Sequence, residues 1–214
     1  MLYSVVIPCA GSGVRMGLGY NKVLFKVNGE TIIEKTVGIF LNDPRVEKII
    51  LVVSPNDELT MRSLFNHPLI DFTLGGESRE ESVYNGVKLV KSKYVLIHDG
   101  ARPCLSKDLL NVIVEVVEQN DSVAPFLKSK DNLRCLDPNG QNYASKMVLV
   151  QTPQAFKTTT IKNALQLALA KDVIKDFKDD ISLVEDMLGV APYLVNGEYS
   201  NIKVTTKEDL KFII

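Results

Sequence analysis

Along the chain, short runs of β-branched residues alternate with longer stretches whose apolar positions recur at helical spacing. "YSVVIP" (3–8), "KIILVVS" (48–54), "IDFTL" (70–74) and "KYVLIHD" (93–99) have strand length. Between them, 30–42, 56–67 and 78–92 repeat their apolar residues three or four apart, which predicts helices. This alternation builds a mostly parallel sheet with helices on both faces, so the expected class is α/β and Rossmann-like. Ligands of such sheets bind beyond the carboxyl ends of the strands. Two loops fall on that edge, the glycine-spaced "CAGSGVRMGLGYNK" (9–22) after the first strand and "HDGARP" (98–103) after the fourth.

The rhythm breaks between 125 and 150. "KSKDNLRCLDPNGQNYASKMVLVQ" alternates on both sides of "DPNG", a good turn sequence. A hairpin arm over 127–149, leaving a single domain of 1–214, and a hairpin lying back on the sheet both suit this pattern. Two helices near 158–171 and 180–188 follow, then a strand "PYLVN" and a tail in which Thr206 and Asp209 have capping-box spacing.

Composition narrows the function classes. The 214 residues carry a formal net charge of −1, which argues against a general nucleic-acid binder. Anionic ligands must therefore be met by local cations. No apolar run approaches a membrane span and no signal peptide is apparent, so a cytoplasmic protein without a membrane partner is expected. Three scattered cysteines, Cys9, Cys104 and Cys135, read as reduced thiols, and with two histidines they form no zinc-type cluster.

The first loop can be weighed against three phosphate-binding designs. A P-loop needs GxxxxGK, and no Lys in this chain follows a Gly. A dinucleotide loop needs a third glycine where Met16 stands and a carboxylate ending the second strand, which instead ends "VVSP". A nucleotidyltransferase loop fits better. Gly11 and Gly13 let backbone N–H groups approach a triphosphate, and Arg15 and Lys22 supply charge where pyrophosphate leaves.

Six ordered motifs then carry a resemblance over nearly the whole chain: "PCAGSGVRM" with "NK", "GGESREESVYNGV" (75–87), "IHDGARP" (97–103), "VQTPQAF" (150–156), "DDISLVED" (179–186) and "NIKVTTKEDL" (201–210). Together they resemble the 2-C-methyl-D-erythritol 4-phosphate cytidylyltransferases, with the ribitol 5-phosphate cytidylyltransferases as a sibling group. The resemblance implies transfer of CMP from CTP to a sugar-alcohol phosphate with Mg²⁺, in isoprenoid precursor synthesis, by a homodimer joined through the hairpin arm. It implies that Arg15, Lys22 and Lys203 surround the reacting phosphates. It places Cys9, Ala10, Gly11, Gly13, Gly76, Glu77 and Ser82 at CTP, and Asp99, Gly100, Arg102 and Thr152 at the second substrate. Asp99 could hold either sugar hydroxyls or the metal. His98 and the acidic pair Asp179–Asp180 are expected to be structural at least as much as catalytic.

Departures from the family pattern fall mainly in the arm. Ala144 stands where an arginine lies eight residues before the threonine of "TPQ", and Asn132 where a threonine follows Lys130 and Asp131. Cys9 replaces an alanine, and Lys178 a threonine. Another polyol phosphate such as D-ribitol 5-phosphate, or a nucleotide-binding homologue with weak catalysis, therefore remain as alternatives.

Overall fold

The computed structural model describes residues 1–11, 16–132 and 147–213. Gly13 and Arg15 of the first loop lie outside them, as do Arg134, Cys135, Ala144 and Lys146 of the expected arm. In chain order the elements are β1 (Tyr3–Pro8), a 3₁₀ turn (Lys22–Leu24), β2 (Lys26–Val27), β3 (Glu30–Thr31), α1 (Ile32–Leu41), β4 (Val46–Val53) and α2 (Glu58–Leu64). Next come β5 (Ile70–Leu74), α3 (Arg79–Lys88), β6 (Tyr94–Ile97), α4 (Lys107–Val117), β7 (Ser122–Lys128), β8 (Val148–Val150) and β9 (Gln154–Lys157). The chain closes with α5 (Thr158–Ala170), α6 (Asp180–Leu188), β10 (Tyr193–Asn196) and a 3₁₀ segment (Glu208–Phe212).

The central sheet runs β10-β7-β9-β6-β1-β4-β5, with β8 paired to β7. β1 is parallel to β4 and β6, and β4 to β5. The α/β expectation holds, and among the described residues two strands of the sheet are reversed, the first being β8, antiparallel to β7. β9 runs antiparallel to both β6 and β7. Neither β9 nor α4 is among the expected elements. β9 has only Ala155 and Phe156 as apolar residues, too short a run for periodicity to register. The break expected at 125 falls inside a regular strand, because β7 pairs with β10 before it meets β8.

Period-two alternation sorts β1 between two cores. Tyr3, Val5 and Ile7 face one cluster with Val37 and Phe40 of α1 and Leu109, Leu110 and Ile113 of α4. Val6 faces the other, with Val83 and Val87 of α3, Ile161 and Leu165 of α5, and Val184 of α6. On that side α3 lies close against the strands, since a Cβ on Gly86 would stand 2.5 Å from Val6 Cγ1.

Helix starts are set by local polar residues. Thr31 and Glu34 form a full capping box on α1, Ser78 caps α3 and Ser106 caps α4. The expected box at Thr206–Asp209 is only half formed. Asp209 accepts the Thr206 N–H, but Lys207 takes the cap position of a 3₁₀ segment and offers no side-chain bond. No helix of the described residues is long and apolar enough to cross a membrane.

Candidate active site

At the carboxyl edge of the sheet the segments that follow β1, β5 and β6, with Lys203 of the tail, line a cavity of about 500 Å³. The chain after β1 forms one wall. Cys9 N–H and Sγ both donate to Val52 O, at 2.9 and 3.1 Å. Burial first, then the Asp57 carboxylate, pushes the Cys9 thiol up to about 12, so it stays protonated and unreactive. Asn21 Nδ2 donates to Cys9 O at 2.6 Å and to Asp57 Oδ2 at 3.0 Å, while its Oδ1 caps the turn that carries Lys22. Lys22 is thereby held against the end of β1, and both it and Asn21 line the cavity.

The opposite wall is the turn between β5 and α3. A Cβ on Gly75 would lie 2.7 Å from Ala10 Cβ, so glycine lets this turn press on the first loop. Ser82 Oγ accepts from Gly76 N–H (3.1 Å) and donates to Ser78 O (2.8 Å), fixing the turn. Glu77 N–H is held by Glu81 Oε2, and the Glu77 carboxylate reaches out to Lys175 at 2.6 Å. Ala10, Gly11, Gly76, Glu77 and Ser82 all border the cavity.

The floor is ionic. Asp99 faces Lys203 Nζ at 3.0 Å, Arg102 Nε at 3.3 Å and Arg79 Nε at 3.7 Å. Burial works to raise its carboxyl, but Lys203, Arg79 and Arg102 outweigh it and hold the group well below the usual carboxylate range. Arg79 in turn makes two bonds to the buried Asp180. Desolvation alone would weaken the Arg79 charge, and the Asp180 and Asp99 carboxylates reverse that, so Arg79 stays a cation.

Arg102 and Thr152 are brought to Asp99 but stand behind it. Arg102 Nη1 donates to Asn201 O at 2.7 Å, and Thr152 Oγ1 accepts the Asp99 N–H at 3.1 Å; neither is on the cavity wall, whereas Gly100 is. His98 is fully buried between Thr152 Oγ1 and Arg102 O, and desolvation lowers it to about 4. It is a neutral spacer. Asp179 caps α6 at Ser182 N–H, while Gln154 Oε1 accepts from Asp180 and Ile181 N–H.

Arg79 was not among the expected site residues. It lies inside "GGESREESVYNGV", and its charge in a glycine-rich turn was the available signal. The partner that gives it meaning, Asp180, lies 101 residues away.

Among the described residues no three His, Cys, Asp or Glu side chains gather as a metal cage. Two of the described carboxylate residues border the cavity: Glu77, whose carboxylate is drawn away to Lys175, and Asp99, which already faces three cations. Such a donor set suits a divalent ion carried in by polyphosphate and touched by a single protein oxygen.

A family profile described as 2-C-methyl-D-erythritol 4-phosphate cytidylyltransferase matches residues 3–213. The enzyme of that name from Clostridium beijerinckii is 38% identical, over 98% of this chain and 95% of its own length. That from Bacillus velezensis is 36% identical, over 99% and 94%. Among solved structures, 4-diphosphocytidyl-2C-methyl-D-erythritol synthase from Anaerococcus prevotii superposes with a TM-score of 0.83 at 31% identity, covering 99% of this chain and 93% of that one.

Proposed function

The chain belongs to the 2-C-methyl-D-erythritol 4-phosphate cytidylyltransferase family of CTP-dependent nucleotidyltransferases, and from that premise we propose how its residues divide the work. The reaction transfers CMP from CTP to 2-C-methyl-D-erythritol 4-phosphate. An acceptor phosphate oxygen bonds to the α-phosphorus while the bond to the β-phosphate breaks and pyrophosphate departs. The nucleophile is ionised at neutral pH, so no general base is needed and catalysis reduces to positioning and charge neutralisation.

The observation that carries this reading is the convergence of Lys22, Lys203 and the Gly75–Gly76 turn on one cavity. Lys22 and Lys203, with Arg15, neutralise charge developing at the α-phosphate. Ala10, Gly11 and Gly13 approach the triphosphate through backbone, with Cys9 anchoring their loop. Gly76 and Glu77 meet the base, and Ser82 holds their turn. Asp99 and Gly100 face the second substrate, while Arg102 and Thr152 orient Asp99 from behind. A divalent cation brought in with CTP would supply charge neutralisation on the polyphosphate, and Asp99 would be the protein carboxylate to hold it.

Exposed Met147 just before β8, Leu149 within it, and Tyr193 and Leu194 on β10 favour a homodimer through an arm over 127–149, on a single domain spanning 1–214. The free thiols Cys9 and Cys104 suit a reducing, cytoplasmic setting.

Ala144 favours a second reading, the same transfer to another polyol phosphate such as D-ribitol 5-phosphate, because the fixed fork of an arginine is missing where the acceptor phosphate is met. The test is pyrophosphate release from CTP and Mg²⁺ with each acceptor separately. Turnover with methylerythritol phosphate alone supports the first reading, and preference for ribitol phosphate supports the second.

A further inference from the structure

The segment from Lys203 to Ile213 is a strap that begins on the cavity wall, where Lys203 lies. At its start Lys203 Nζ meets Asp99 Oδ2 at 3.0 Å, and Val204 N–H is bonded to Ala101 O at 2.9 Å. At its far end Ile213, with Leu210, packs back beside Val204 in a small apolar cluster with Met16, Val27 and Ile32. The strap therefore joins the Asp99 loop to the chain that follows the glycine loop. Between these anchors the backbone turns at Thr205 and Thr206, and one atom closes that turn. Asp209 Oδ2 accepts the N–H of Thr205 at 2.7 Å and of Thr206 at 2.8 Å. Thr205 Oγ1 donates back to Lys203 O at 3.1 Å, so the turn is tied directly to the lysine.

We propose that Asp209 is a positioning residue for the transfer reaction, holding the 205–206 turn so that Lys203 is presented to the reacting phosphates. This rests on the assignment of Lys203 to those phosphates. Asp209 is absent from the cavity wall, so it acts through Lys203 and not on substrate. Burial works to raise its carboxyl, and the Thr206 and Thr205 groups with the Lys22 charge more than offset that, so it accepts both bonds as an anion at neutral pH.

A double-mutant cycle separates this role from a purely structural one. Asp209→Ala is expected to lower kcat about tenfold or more with KM for CTP changed less than about threefold, and Asp209→Asn, which keeps the acceptor, to recover to within about threefold of the parent. In a Lys203→Ala background the same Asp209→Ala change is expected to cost less than about twofold, because the group it positions is gone. Equal fractional losses in both backgrounds would overturn the positioning role while leaving Lys203 catalytic. A Lys203→Ala enzyme with the parent rate would overturn the assignment of Lys203, and the proposal with it. Asp209→Ser, which keeps an oxygen too short to span both N–H groups, replaces Asp209→Ala in the cycle if the alanine variant does not fold.

Discussion

Arg79 and Asp180, 101 residues apart in sequence, meet as a two-pronged ion pair, with Nη1 to Oδ1 at 3.0 Å and Nη2 to Oδ2 at 2.8 Å. Asp180 is 1% exposed, and the pair locks the start of α6 to the start of α3 beneath the cavity. Removing one partner strands the other charge. Asp180→Ala is expected to destabilise the fold by about 3–5 kcal/mol in urea unfolding, while a double Arg79→Met, Asp180→Leu variant regains most of that loss. A double variant as unstable as the single one would mean that the pair adds net stability beyond compensating its own burial.

The chemistry itself is tested at Lys22. It sits on a capped 3₁₀ turn, half-buried, and its replacement leaves the Asn21 bonds to Cys9 and Asp57 intact. Lys22→Ala is expected to lower kcat by roughly 10²–10³-fold, about 3–4 kcal/mol of transition-state stabilisation, by analogy with losing one preorganised donor. The melting temperature is expected to stay within a few degrees of the parent. Single-turnover rates at saturating CTP, set beside thermal melts, check both halves of this expectation.

What the sequence made legible is what depends on local pattern. β1 shows its two-sided burial directly, because Val5 and Ile7 alternate with Val6, and the two ligand loops follow the strands that precede them. The roles within the ionic floor depend on distant partners. Arg102 and Thr152 stand behind Asp99 because Asn201, nearly a hundred residues from Arg102, receives its guanidinium through a backbone carbonyl. Asn201 also donates to Thr152 O at 2.9 Å. No spacing rule reports such tertiary contacts, and the role of Arg79 inside its glycine-rich motif likewise depends on Asp180, a partner far along the chain.

His98 sets an acid limit on stability. Its native value of about 4 lies below the ordinary 6.5, because burial opposes its charge. Between those values the unfolded chain binds a proton that the native state does not, so stability falls as pH drops from 6.5 toward 4 and this contribution levels off below that. At pH 4.5 the loss relative to pH 7.5 is about 2–3 kcal/mol from this group. Urea midpoints for the parent and a His98→Gln variant are expected to converge as pH falls. Parallel curves would place the acid sensitivity elsewhere.

Gly86 separates packing from chemistry. Its missing side chain admits Val6 Cγ1 and Val52 Cγ2, which would stand 2.5 and 2.9 Å from an added Cβ. Gly86→Ala gains helix propensity but must push α3 off the sheet, for an expected net cost of about 1–3 kcal/mol. Because α3 carries Arg79 and Ser82 at its start, such a shift is also expected to raise KM for CTP. A variant of unchanged stability would show that α3 can slide along the strands.

Metal removal is the last expectation. Both described carboxylates bordering the cavity are already paired, Asp99 with Lys203, Arg102 and Arg79 and Glu77 with Lys175, so the protein alone is a poor site for a divalent cation. Affinity must come with the nucleotide, whose polyphosphate supplies most of the oxygen ligands. Titrating Mg²⁺ into the protein without CTP is therefore expected to give no saturable heat in the millimolar range, whereas CTP-dependent turnover is lost on adding EDTA and restored by excess Mg²⁺. Asp99→Asn removes the anion that three cations surround, so their repulsion rises and CTP binding is expected to tighten as the pocket becomes more positive. Catalysis is expected to fall in the same variant, because Lys203 loses the carboxylate that holds it. Tighter CTP binding joined to a lower kcat would assign Asp99 to orienting cations, and a large rise in the Mg²⁺ needed for turnover would instead make it a metal ligand.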